Sequence, residues 1–113
     1  MHTQTFTHTF TATGSGVQRR FVNFAGAQAG AADPVLGVAM TDFAAGQPTA
    51  AHVLGVAAVE SGAAVALGDG VTPDAQGRAV TDPTAAGAVA PNRVGRALNA
   101  VTAAGQTLFI LIR

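Results

Sequence analysis

The chain has 113 residues and a formal charge of zero, from six Arg and six acidic residues, with no Lys and no Cys. That length fits one compact domain, the charge balance excludes the basic field that draws proteins to nucleic acid or anionic lipid, and the lack of Cys excludes disulfides, thiolate metal sites and thiol nucleophiles. No run approaches the ~18 apolar residues of a membrane span, and the Thr-rich start lacks a signal-peptide pattern, so the chain reads as soluble and unexported.

The 49% hydrophobic content includes much Ala, which buries little area, so the core is expected to be thin and to gain from neighbours that cover more surface. Ala favours helix, but beyond Thr13 no Gly-free stretch exceeds nine residues. Helices of about eleven residues do not fit those intervals, whereas strands of about five or six do. The expectation is an all-β fold, a small single-domain β-sandwich or barrel of short strands and hairpins, with an extended N-terminal β-arm.

In chain order, Thr3, Thr5, Thr7, Thr9, Thr11 and Thr13 alternate with Gln4, Phe6, His8, Phe10 and Ala12, the pattern of a strand with two unlike faces. Gly14-Ser15-Gly16 breaks this segment, which divides the chain into an arm over 1–16 and a β-domain over 17–113. Val17 to Phe24 is expected to hold a second strand that buries Phe21 and Val22, followed by a small-residue loop ending at Asp33-Pro34. Val35-Leu36-Gly37-Val38-Ala39 recurs as Val53-Leu54-Gly55-Val56-Ala57 and, more loosely, as Arg93-Val94-Gly95-Arg96-Ala97. A Gly at the same place in three strands marks either bulges or points where another backbone comes close. The turn Ala44-Ala45-Gly46-Gln47 is likewise repeated as Ala103-Ala104-Gly105-Gln106. Asp74 to Gly77 has the chemistry of a type I turn closing on a left-handed Gly, and so predicts a hairpin. Asp82-Pro83 and Ala90-Pro91-Asn92 frame a further loop. Thr107 to Ile112 is nearly continuous apolar strand, expected to be covered on both faces, inside the domain or by a partner.

The inventory for catalysis is small: two Ser, three His, six acids and no Cys, Lys, Tyr or Trp, which argues against an enzyme. Ser15 and Ser61 occupy turn positions outside any Gly-x-Ser-x-Gly elbow. His2 and His8 share a strand face but lie about 20 Å apart, too far to ligate one metal, and His52 reads as a polar strand end. Asp69 and Asp74 lack the alternating ligands of a calcium loop. Catalytic residues, metal ligands and cofactors are therefore all expected to be none. Arg19 and Arg20 read as a solvated strand edge, whereas Arg93 and Arg96 suit either such an edge or a protein interface.

The succession Val53 to Ala57, Gly62 to Asp69, Val71-Thr72, Asp74-Ala75-Gln76-Gly77-Arg78-Ala79-Val80 and Val94 to Leu98 resembles the head decoration, or capsid cement, proteins of tailed bacteriophages. Over about residues 19–113, that resemblance implies a β-domain, often trimeric, on the outer capsid surface of the virion. Its partners would be the major capsid protein and itself, as a homotrimer, with no nucleic acid and no membrane. Such a protein would stabilise the shell by bridging neighbouring capsid subunits. The arm falls outside the resemblance. It is expected to add as a strand to a sheet edge on the capsid or a sister subunit, so Thr5, Phe6, Thr7, His8 and Phe10, with Arg93 and Arg96, are the candidate contact residues. An alternative is a tail-associated or adhesin-like module for a host surface glycan, against which the absence of Trp and Tyr counts.

Overall fold

The computed structural model describes residues 5–31, 33–83 and 92–112. Eight strands, and no helix among the described residues, follow one another as β1 (Thr5–Thr11), β2 (Phe21–Asn23), β3 (Val35–Ala39), β4 (Pro48–Glu60), β5 (Gly70–Pro73), β6 (Ala79–Thr81), β7 (Gly95–Ala97) and β8 (Thr107–Ile112). They form one antiparallel sheet in the order β2-β3-β4-β8-β7-β5-β6, with β1 paired to β4. Its ends nearly meet. The Phe21 amide in β2 donates to the Gly77 carbonyl in the β5–β6 turn at 2.7 Å, and the Gly62 amide donates to Ala79 of β6 at 2.7 Å. The all-β expectation therefore holds as a nearly closed barrel, which leaves few unpaired edges.

The repeated glycines explain how such short strands pack. A Cβ on Gly37 would overlap the His52 carbonyl, and one on Gly95 would overlap the Leu111 carbonyl. Both are points of close backbone approach. Gly55 instead has φ +97°, and beside it the β1–β4 register shifts between Phe6 and Thr7, the signature of a bulge. The bend does not end the strand. β4 thus runs thirteen residues, and His52 lies in its middle rather than at an end.

The repeated Ala-Ala-Gly-Gln turns are also real. Gly46 and Gly105 are left-handed, at φ 85° and 82°. In each turn the Gln side chain accepts a backbone amide, Gln47 from Ala44 at 2.9 Å and Gln106 from Thr102 at 2.8 Å. The predicted hairpin is β5–β6: the Gly77 amide donates to Asp74 at 3.1 Å, the Asp74 amide to Arg78 at 2.8 Å, and Gly77 has φ 75°.

Alternate residues of the strands fill the barrel. Phe21, Val38, Val59, Val65, Val71, Leu108 and Ile110 are buried in one cluster with Ala29, Ala57, Ala79 and Ala97. Each large side chain there stabilises the fold by about 1.5–3 kcal/mol, and each Ala by much less. A second cluster, Ala12, Val22, Ala39 and Phe43, takes Phe10 against its side. Ser61 is fully buried. Its hydroxyl donates to the Ala103 carbonyl at 2.7 Å and accepts the Gln106 amide at 3.0 Å, tying the second Ala-Ala-Gly-Gln turn to the end of β4.

Candidate adhesive face

The central strands β4, β8 and β7 line the barrel with Ala57, Val59, Leu108, Ile110 and Ala97, so their alternate residues face outward. The register aligns these outward residues in rows. Arg96 lies opposite Leu111, which lies opposite Val56, and Phe109 lies opposite Ala58. Leu98 continues the second row, its amide donating to the Phe109 carbonyl at 2.7 Å. Phe109 is 46% exposed and Leu98 44%. The C-terminal strand is therefore buried on one face only within the chain. The other face is only partly covered within the chain, Phe109 being about half exposed and Leu111 half-buried, so the expectation of two-sided burial is not met inside the domain.

This outer face has a fixed edge. The Phe109 amide donates to the Asn99 side-chain oxygen at 2.8 Å, which holds β8 beside the chain leaving β7. Further along β4, beyond the Gly55 bulge, Phe6 lies opposite Leu54. Both are exposed, at 58% and 41%. Exposed aromatic and aliphatic side chains arranged on a rigid sheet are the usual makings of a protein contact.

The candidate contact residues fall into three groups. In β1, Thr5 pairs with Gly55 through the backbone, and Thr7 and His8 are exposed. Phe6 points outward, whereas Phe10 meets Phe43 edge-on, with ring centroids 6.3 Å apart, and stacks on His8 at 6.4 Å. Residues 5–11 run along β4 of their own chain, so this segment forms part of the chain's own sheet. Arg93 is engaged internally: its Nε donates to Asp82 at 2.9 Å, with the Asp82 side chain only 2% exposed. It also packs over Gly70, where a Cβ would strike its guanidinium. Arg96 is exposed on the outer face, with one hydrogen bond to the Gly68 carbonyl at 3.1 Å. The structure thus brings Arg96 into the outer rows and leaves Arg93 and Phe10 with intramolecular work.

Phe109 and Leu98 escaped the sequence reading because a run such as Leu108-Phe109-Ile110-Leu111-Ile112 shows no polar alternation from which to tell inside from outside. For the arginines a signal was present. Positions 93 and 96 are an odd number apart, which places them on opposite sides of an extended strand. Two of the acids are engaged locally. Asp74 accepts the Gln76 and Arg78 amides at 2.9 and 2.8 Å and pairs with the Arg78 guanidinium at 3.1 Å. Asp69 accepts the Ala66 amide and the Thr81 hydroxyl, each at 3.1 Å. Both are structural turn residues. No group of three His, Cys, Asp or Glu side chains gathers at one place among the described residues.

A nearly closed barrel with partly exposed apolar side chains on its outer face and its turn acids already engaged defines a class, a small all-β structural module. The chain belongs to the phage cement protein family, whose sequence profile matches residues 1–113, and it is thereby a structural protein of the phage virion. No curated protein matches it. Among solved structures it is similar to the N base of the head fiber gp8.5 of bacteriophage phi29, at 19% identity with a TM-score of 0.74, over 97% of this chain and 95% of that one. At that identity the likeness concerns the fold.

Proposed function

We propose that the protein binds the outer surface of the phage capsid as a homotrimer and stabilises the shell by bridging neighbouring capsid subunits, without catalysis. Family membership supports the virion setting, and the half-exposed Phe109 on β8 and Leu98 just past β7 carry the adhesive reading. A barrel whose core is rich in Ala gains from a partner that covers those side chains. Repetition of the contact over a shell, and linkage of protomers, multiplies a modest single-site affinity through effective concentration.

The arm hypothesis takes a more specific form. Phe10 and Ala12 support the second core cluster, so removing residues 2–13 would open the fold as well as any interface. Phe6→Ser is the cleaner probe, because Phe6 is largely exposed. The test of the function is co-sedimentation of the protein with empty heads of its phage, together with mass measurement of the free protein. Saturable binding to heads and a trimeric mass are expected. A monomer that stays in the supernatant when the heads pellet would sink the proposal.

A further inference from the structure

The structure assigns a second element of recognition, distinct from the apolar rows: a polar recess whose Arg19 receives a carboxylate side chain of the capsid protein. This rests on the capsid-binding reading and deepens it. The recess has a volume of about 270 Å³ and is lined by Arg19, Asp42, Glu60, Gln106 and Thr107, among others. Glu60 and Thr107 are opposite one another in the β4–β8 register, the row after Ala58 and Phe109. The recess therefore adjoins the apolar face, and a partner seated on Phe109 reaches it without rearrangement.

Two features single out Arg19. Among the described residues it alone has a positive φ without being Gly, at 67°. Its backbone is locked there, the amide donating to the Ala39 carbonyl at 3.0 Å and the carbonyl accepting the Glu60 amide at 2.7 Å. Gly would adopt this conformation without the steric clash that a Cβ brings. Backbone strain of this kind collects at functional sites. The second feature is charge. Arg20 pairs with Glu60 at 3.3 Å, and Asp42 accepts the Gln18 amide at 2.7 Å. The exposed Arg19 side chain has neither an ion pair nor a hydrogen bond among the described residues. Glu60 is thus paired with Arg20 and Asp42 is held by a backbone amide, so the Arg19 guanidinium forms an ion pair with neither carboxylate of the recess. The planar fork of a guanidinium matches a carboxylate in two parallel hydrogen bonds, so an Asp or Glu side chain on the partner is the complementary group.

The experiment compares wild type, Arg19→Gly and Arg19→Lys. Arg19→Gly is expected to raise the melting temperature by about 3 °C, by relieving the strain, while weakening binding to empty heads at least about tenfold. Arg19→Lys keeps the charge without the fork and is expected to fall between. Arg19→Gly that binds heads like wild type overturns the assignment, as does a melting temperature that falls, which would make Arg19 a structural residue. A loss of trimer mass in Arg19→Gly would identify a second copy, not the capsid, as the carboxylate donor, and overturns it too. An independent arm titrates the free protein with the blocked peptide acetyl-Asp-Asp-amide and follows the Arg Nε–H resonances. Movement at Arg19 with Arg96 unchanged is expected, and no movement at Arg19 refutes the site. If the peptide shifts Arg19 but wild type ignores heads, the carboxylate site stands and the capsid assignment falls.

Discussion

Phe109→Thr isolates the adhesive face. The substitution places a β-branched, strand-favouring residue on β8 and removes the largest outward side chain of the central rows. A Phe side chain presents about 200 Å², and the 46% that is exposed leaves about 90 Å² for a partner to cover. At about 25 cal/mol per Å² that amounts to about 2 kcal/mol of binding per site, or about 30-fold in affinity. The half that already packs on the chain covers about 110 Å², of which the replacing Thr keeps roughly half, so the fold loses about 1–1.5 kcal/mol at the same coefficient, a fall of about 4–6 °C in melting temperature. The two effects are separated by measuring thermal melting alongside a sedimentation isotherm with empty heads and light scattering over a concentration series. The expected result is a mild loss of stability with a large loss of head binding, trimer mass or both. Unchanged binding and mass would falsify the adhesive reading of this face, and a fall in melting temperature beyond about 10 °C would mean that Phe109 works inward.

Three further outcomes follow from the geometry. Arg93→Ala, which takes the guanidinium away from the buried Asp82 carboxylate, should destabilise the fold by about 2–3 kcal/mol, whereas Arg96→Ala should stay within about 0.5 kcal/mol of wild type; equal melting curves for the two variants would contradict the division between them. Gly95→Ala drives a methyl into the Leu111 carbonyl and should cost at least about 2 kcal/mol, against about 1 kcal/mol for Gly105→Ala, which has open space but a left-handed backbone; chemical denaturation orders the pair, and the reverse order would count against the β7–β8 approach. Asp33 accepts the Gly30 amide at 2.9 Å and the Asn23 side chain at 3.2 Å, and these bonds hold its carboxyl below the ordinary 3.8, against a small opposing effect of burial. Because the folded value is the lower one, its contribution is complete above pH 3.8 and is lost as the pH falls through the folded value. Stability of Asp33→Asn should therefore change less than wild type over that acid range, and a carboxyl titration midpoint at or above 3.8 would remove the basis for this.

The parts of the fold that were legible in the sequence are those in which one residue type has one physical use. Asp74 to Gly77 spelled a hairpin because a left-handed Gly and an Asp that bonds its own backbone leave few alternatives, and the structure contains that hairpin. The repeated Gly37, Gly55 and Gly95 announced bulges or close approaches. They divide between the two, since Gly alone permits either a positive φ or a backbone in van der Waals contact, and the neighbouring strand decides which. The extent of β4 was not legible, because a Gly inside a strand pattern can end the strand or bend it, and only the pairing with β1, β3 and β8 carries Pro48 to Glu60 through as one element. The outer face was hidden for the reason that conceals any uniformly apolar strand, namely that burial on one side and on two sides have the same composition. Arg19 was concealed differently. Its signal is a backbone angle, set by hydrogen bonds to Ala39 and Glu60 that are distant in sequence.

The roles of the arginines connect the thin core to the adhesive reading. Arg20, Arg78 and Arg93 each pair with a carboxylate of the same chain, cross-linking segments that Ala side chains hold only weakly. Arg19 and Arg96 make no such pair among the described residues. They fall at opposite ends of the outward rows, Arg96 beside Leu111 and Arg19 in the recess beyond Thr107 and Glu60. Apolar side chains in the middle supply area without direction, and cations at the ends supply direction with little net affinity, since each remains hydrated until a carboxylate meets it. On the proposed capsid-binding reading, a partner surface matches the apolar rows and both charges together. The register of one sheet fixes the separation of those features, so on that reading a barrel that fills its interior with small residues still presents a specific pattern on its exterior.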